Sequence, residues 1–162
     1  MLDYHKDMTA AAQLKRVPKY LKPFDHFKKP SDNHIIKVAA SIVHFNDTIK
    51  QIIETVKPME IFRIGGAANK CCELAMGNVD TYMHPFPGLK YHDLCAPESL
   101  IKAMGGVSYN LYSERLTYPT SGDQRLRGLI LAKNPEMYKM LKRRLKPLMN
   151  TILKKSNVKS DN

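Results

Sequence analysis

Cysteine, acidic side chains and long apolar runs are all scarce in this chain of 162 residues, and each scarcity excludes a class of protein. The three cysteines, Cys71 beside Cys72 and Cys95 alone, form neither a CxxC pair nor an even disulfide framework. They suit a reducing, cytoplasmic compartment and read as free thiols buried on helices. A zinc site drawing on His84, His92, Asp93 and Cys95 would match no structural-zinc spacing. Apolar stretches are short, as in residues 38–43, so nothing is expected to span a bilayer. The first residues, Met1-Leu-Asp-Tyr-His-Lys-Asp7, carry charge where a signal peptide needs an apolar run.

Acidic residues number 15 against 26 Lys and Arg, a formal charge of +11. Such a balance attracts polyanions. The excess lies at the ends, however. Residues 1–30 hold seven Lys/Arg against three Asp, and residues 133–159 hold nine against Glu136 alone. No aromatic stacking motif accompanies them, so solvated tails and helix faces explain the charge without nucleic acid.

What is present is an alternation of strand and helix signals. A basic lead-in over residues 1–33, broken by Pro18, Pro23 and Pro30, precedes a β-branched run at 34–41. Asn46 or Asp47 caps a helix reaching Val56, whose Ile49, Ile52, Ile53 and Val56 share one face. Strands follow at 60–64 and 79–83, with a helix over 67–76 between them and Gly77 as its stop. A Pro/Gly loop at 85–88 leads to a helix over 93–104. Short strands at 107–111 and 129–132 come next, and Asn134 or Pro135 opens a last, basic helix reaching about Pro147 or continuing past it. The pattern predicts an α/β domain over residues 34–150, a mixed sheet flanked by helices, with a basic tail at 151–162.

Two segments carry chemistry. In Arg63-Ile-Gly-Gly-Ala-Ala-Asn-Lys70 a strand ends, two glycines turn the chain and a helix begins. Backbone N–H groups at such a helix start favour an anion, and Lys70 adds charge nearby. By itself the pattern also describes an ordinary turn. In Tyr91-His-Asp-Leu-Cys-Ala-Pro-Glu98, Asp93 opens an apolar helix and, taken alone, reads first as an N-cap and only second as a hard-oxygen ligand.

Together, Asp93-Leu-Cys-Ala-Pro-Glu98, the following helix and Gly105-Gly106 resemble the carboxyl-terminal signature of the inositol monophosphatase superfamily. Gly-Gly-Ala-Ala-Asn-Lys70, with Pro-Gly-Leu-Lys90 before the Asp, resembles its cytosolic 3'(2'),5'-bisphosphate nucleotidases most. The resemblance covers residues 34–140 and implies the fold of that superfamily's second domain. It also implies hydrolysis of the 3'-phosphate of adenosine 3',5'-bisphosphate with Mg²⁺ as cofactor. Carried over by position, it makes Asp93 the Mg²⁺ ligand from this domain. Ser41 and His44 become nucleotide contacts, and Gly66 and Lys70 phosphate and ribose contacts.

The departures matter as much. His92 stands where the family has Trp, and Ile42 and Val43 replace an Arg-Ser before His44. The family's Asp-Pro-[Ile/Leu]-Asp-Gly-Thr metal motif does not occur in these residues. The expectation is therefore a phosphatase lacking its amino-terminal half and inactive alone. A non-catalytic nucleotide- or partner-binding remnant and an inositol phosphate phosphatase fragment are the alternatives, with a basic RNA-associated module a more distant one.

Overall fold

Val38, Ala39 and Ala40 are buried in succession, the mark of a strand covered on both faces. In the computed structural model, which describes residues 36–42 and 46–158 (the last five by backbone alone), this strand is β1, Lys37–Ser41. It pairs in parallel with β2, Glu60–Ile64, on one side and with β3, Thr81–Lys90, on the other. β3 pairs antiparallel with β5, Arg125–Ala132, and β5 with β4, Val107–Tyr109. The mixed five-stranded sheet thus runs β2-β1-β3-β5-β4.

Parallel neighbours require crossovers, and helices supply them. Helix α1, Asp47–Val56, joins β1 to β2, and α2, Ala67–Ala75, joins β2 to β3. Asn46 caps α1 by accepting a hydrogen bond from the Ile49 N–H at 3.2 Å, as the sequence predicts. Its other end is covered by Arg144, whose guanidinium donates to the Val56 carbonyl at 2.7 Å. Helix α3, Cys95–Ala103, and the long α4, Pro135–Val158, complete the set.

Period-two alternation splits the core into two layers. Tyr82, Leu129 and Leu131 face Cys71 and Leu74 of α2 and Ile101 of α3. Met83 and Ile130 face the opposite way, towards Ile52 and Val56 of α1 and Met137, Leu141 and Leu145 of α4. The sheet is therefore the middle of three layers. Asp80 fastens it below the site: its carboxylate accepts from the Lys37 N–H at 2.8 Å and pairs with Lys133 at 2.6 Å.

Three elements differ from the sequence reading. The expected loop at 85–88 is strand: β3 continues to Lys90 against β5, with register shifts around Pro87. Proline lacks an N–H, and a bulged ladder tolerates it because some backbone groups there are unpaired anyway. β5 likewise begins at Arg125 rather than 129, since Leu126 is buried between two exposed arginines. Within β5, Gly128 has φ of +76°, and a Cβ there would lie 2.5 Å from Leu111.

Helix α4 passes Pro147 and runs to Val158. An interior proline costs about 3 kcal/mol. Leu145 and Ile152 are buried on either side of it, and their packing against the sheet offsets that loss. Asn134 caps the helix, accepting from the Met137 N–H at 2.7 Å, with Pro135 in the first turn. The lead-in at 1–33 and residues 159–162 lie outside the described residues, and 151–158 belong to α4.

Candidate functional site

β2 lies to one side of β1 and β3 to the other, so the sheet order reverses beside β1. In open α/β sheets a crevice forms at the carboxyl ends of the strands where this happens. Here it is a cavity of about 490 Å³, walled by Ser41 at the end of β1, the Gly65-Gly66 turn after β2, and the bulged end of β3. Asp93 lines it as well.

The first wall is backbone. Gly66 holds φ of +74° with ψ of 143°, a conformation that costs an L-residue about 1–3 kcal/mol, and it serves as N-cap of α2. No side chain caps this helix start, and its first turn carries no acidic residue. The unpaired N–H groups and the positive end of the helix dipole leave this end receptive to an anion.

Lys70 lines the same cavity but is only 3% exposed. Its ammonium donates to the Gly66 carbonyl at 2.7 Å and the Ile64 carbonyl at 3.2 Å. It lies 5.0 Å from the centre of the Tyr82 ring. Burial lowers its pKa from the usual lysine value of 10.5, with Cys71 opposing that shift. Two of its three donors therefore brace the Gly-Gly turn, and the charge sits behind the anion-receptive helix end.

The second wall is side chain. Tyr82, His84 and Phe86 alternate along β3 and all line the cavity. His84 is tilted against Tyr82 at 6.5 Å between ring centres and edge-on to Phe86 at 6.0 Å. Asn46 also reaches the cavity. Of these four, the sequence singled out His84 and, as a helix cap only, Asn46. The period-two aromatic pattern was a usable signal, hidden because Phe86 fell in a segment read as loop.

Asp93 is not the N-cap of α3. It ends a short 3₁₀ turn, Tyr91–Asp93, and the residue before α3 is Leu94. One carboxylate oxygen accepts from the Lys90 N–H at 3.1 Å, and the other lies 3.6 Å from His92 Nε2. The side chain remains 42% exposed, so the carboxylate is tethered through one oxygen yet still accessible. His92 itself points outward, 69% exposed. Asp93 offers a hard-oxygen ligand of the kind Mg²⁺ takes. Among the described residues no three His, Cys, Asp or Glu gather as a metal cluster.

Ser41, Gly66, Lys70 and Asp93 thus converge on one cavity, whereas His44 lies outside the described residues. Of the cysteines, Cys71 is buried as expected, its thiol pushed up to about 12 chiefly by burial. Cys72 and Cys95 are exposed instead, on the outer faces of α2 and α3. No helix among the described residues is long and apolar enough to cross a membrane.

The comparisons with known proteins agree on one family. The model of the inositol monophosphatase family matches residues 10–150. The chain is 35% identical over 89 residues to the Mus musculus 3'(2'),5'-bisphosphate nucleotidase 1, covering 55% of this chain and 28% of that protein. Against the Dictyostelium discoideum 3'(2'),5'-bisphosphate nucleotidase 1 the identity is 29% over 109 residues, 67% of this chain and 31% of that one. Among solved structures, inositol monophosphate-bound staphylococcal IMPase-II superposes with a TM-score of 0.67 at 16% identity. That match covers 86% of this chain and 52% of the other. The chain thus spans about a third or less of the curated relatives it matches and about half of this structural neighbour. With a family match extending over most of its length and a fold shared with solved members, this chain belongs to the inositol monophosphatase family.

Proposed function

We propose that this chain supplies the substrate-holding half of a magnesium-dependent phosphomonoesterase acting on a 3'(2'),5'-bisphosphate nucleotide such as adenosine 3',5'-bisphosphate. The observation that carries the reading is that the uncapped α2 start and Asp93 line one cavity. An N-terminal helix end suits a phosphate, and a tethered but open carboxylate suits a cation beside it. The relatives named as bisphosphate nucleotidases support the substrate class, and the aromatic row of β3 offers a face for a base.

In this reading Gly66 admits the phosphate to the backbone, Lys70 stiffens the turn and adds charge behind it, and Ser41 and His44 orient the nucleotide. Asp93 would hold Mg²⁺, which when bound neutralises developing charge on the phosphoryl oxygens. One carboxylate does not complete a two-metal site, so the remaining ligands would come from outside the described residues. Binding alone lowers no chemical barrier. The chain by itself is therefore a binder rather than a catalyst, and its place of work is the cytoplasm.

Calorimetry with adenosine 3',5'-bisphosphate and inositol 1-phosphate, each with and without Mg²⁺, tests this, with phosphate release followed in parallel. The expected result is nucleotide binding strengthened by Mg²⁺, no such strengthening in Asp93→Asn, and little turnover in either. Preference for the inositol ester would move the substrate class. Turnover abolished by Asp93→Asn would reveal a metal site complete within these 162 residues.

A further inference from the structure

Beyond the first cavity, the loop between β4 and β5 folds over a second pocket of about 280 Å³. Its wall carries three guanidinium groups, Arg115, Arg125 and Arg127, with Tyr91, Glu114 and Asp123. Arg125 and Arg127 are two residues apart on β5 and so share a face, with Leu126 buried between them. Arg115 joins them because residue 115 bridges back to Tyr109 at the end of β4.

The loop is held by its own bonds. The Asn110 side-chain oxygen accepts from the N–H groups of Tyr112 and Glu114, both at 2.9 Å. Its amide group donates to the Glu114 carboxylate at 2.8 Å, which occupies that acid. The Tyr91 N–H donates to the Gln124 carbonyl at 3.0 Å and closes the other side. The Tyr91 ring also meets Tyr118 in a T-shaped contact, with 5.3 Å between ring centres.

The charges are unevenly committed. Asp123 takes Arg125, whose Nε lies 3.0 Å from its nearer oxygen. Neither Arg115 nor Arg127 forms an ion pair among the described residues. Guanidinium forks match the spacing of phosphate oxygens and remain charged at any physiological pH. We propose that this pocket is a second oxyanion site, taking inorganic phosphate or the phosphoryl group of a small ester. Arg115 and Arg127 are its ligands, and Asp123 is a built-in competitor that masks Arg125. It is separate from the first cavity, although the two adjoin: Pro87 lines the first and faces Arg127 across the ladder.

The test is an amide-resolved NMR titration of the 162-residue chain with inorganic phosphate, ionic strength held constant with chloride, and a second arm using AMP. Shifts at Tyr91, Leu116 and Arg127 are expected, saturating with phosphate. Arg127→Gln should weaken that response roughly tenfold, as for loss of one charge-assisted partner at a wet site. Asp123→Asn should tighten it by freeing Arg125, a gain that general loss of structure would not mimic. Tighter binding of AMP than of phosphate at these amides would identify an ester as the ligand, and the reverse would identify the free ion. Shifts confined to Gly65, Gly66 and Ala67, or no shift at all, would overturn the site. So would equal affinity in Arg127→Gln. The amides of the first cavity report nucleotide binding independently, so either site can fail alone.

Discussion

The two walls of the first cavity are built by opposite means. On the β2–α2 side the chain presents backbone: a glycine with positive φ, an uncapped helix end and a buried ammonium behind them. On the β3–α3 side it presents side chains, an aromatic row and one carboxylate on a 3₁₀ turn. A backbone site tolerates change in exposed residues but depends on its conformation. A side-chain site depends on which groups the strand aims inward.

The largest effect should come from the brace. Lys70→Ala removes a buried side chain and leaves the Gly66 and Ile64 carbonyls without their donor. Cavity and lost hydrogen bonds together predict about 2–4 kcal/mol of destabilisation, read by urea unfolding. His92→Ala, beside Asp93 but pointing outward at a 69% exposed position, should stay within about 0.5 kcal/mol. Equal losses at the two positions would break the contrast.

Next comes conformation. Gly66→Ala should cost about 1–3 kcal/mol because its positive φ with ψ of 143° suits Gly alone, although a Cβ would meet only Asn69 in ordinary contact. Gly65→Ala, one residue earlier and without positive φ, should be nearly silent. Nucleotide affinity should fall with the first and hold with the second. Loss in both would mean that bulk at the cavity mouth matters rather than the turn.

The last effect is silent at neutral pH and develops only in alkali. Burial raises Cys71 from 9.0 to about 12, so the folded chain keeps a proton that the unfolded chain releases above pH 9. The contribution is fully present below pH 9 and is lost as pH rises towards 12, at up to about 1.4 kcal/mol per pH unit. Cys71→Ala should flatten that part of the stability–pH curve, while Cys72→Ala, on the exposed face of α2, should not.

Much of this organisation was legible in the residues. The bounds of β2, the Asn46 cap and the Gly-Gly turn follow from local rules that act within a few positions. Asp93, Gly66, Ser41 and Lys70 were named by a family resemblance, and the fold gathers them. Three features were not legible, because distant partners decide them. Pro85 and Pro87 read as loop until β5 lies alongside. Pro147 leaves the end of the last helix open until Leu145 and Ile152, on either side of it, are seen buried in one core cluster.

Charge shows the same division. Composition establishes an excess of 11 positive charges but not where they meet. That Lys70 turns inward to two carbonyls, while Arg115 and Arg127 gather over a pocket, is a matter of tertiary structure. Periodicity and turn chemistry are encoded locally, so the sequence alone determines strands, helices and the anion-receptive turn. Burial and pairing join residues far apart along the chain, and only the packed fold decides which charges become braces and which remain free to bind.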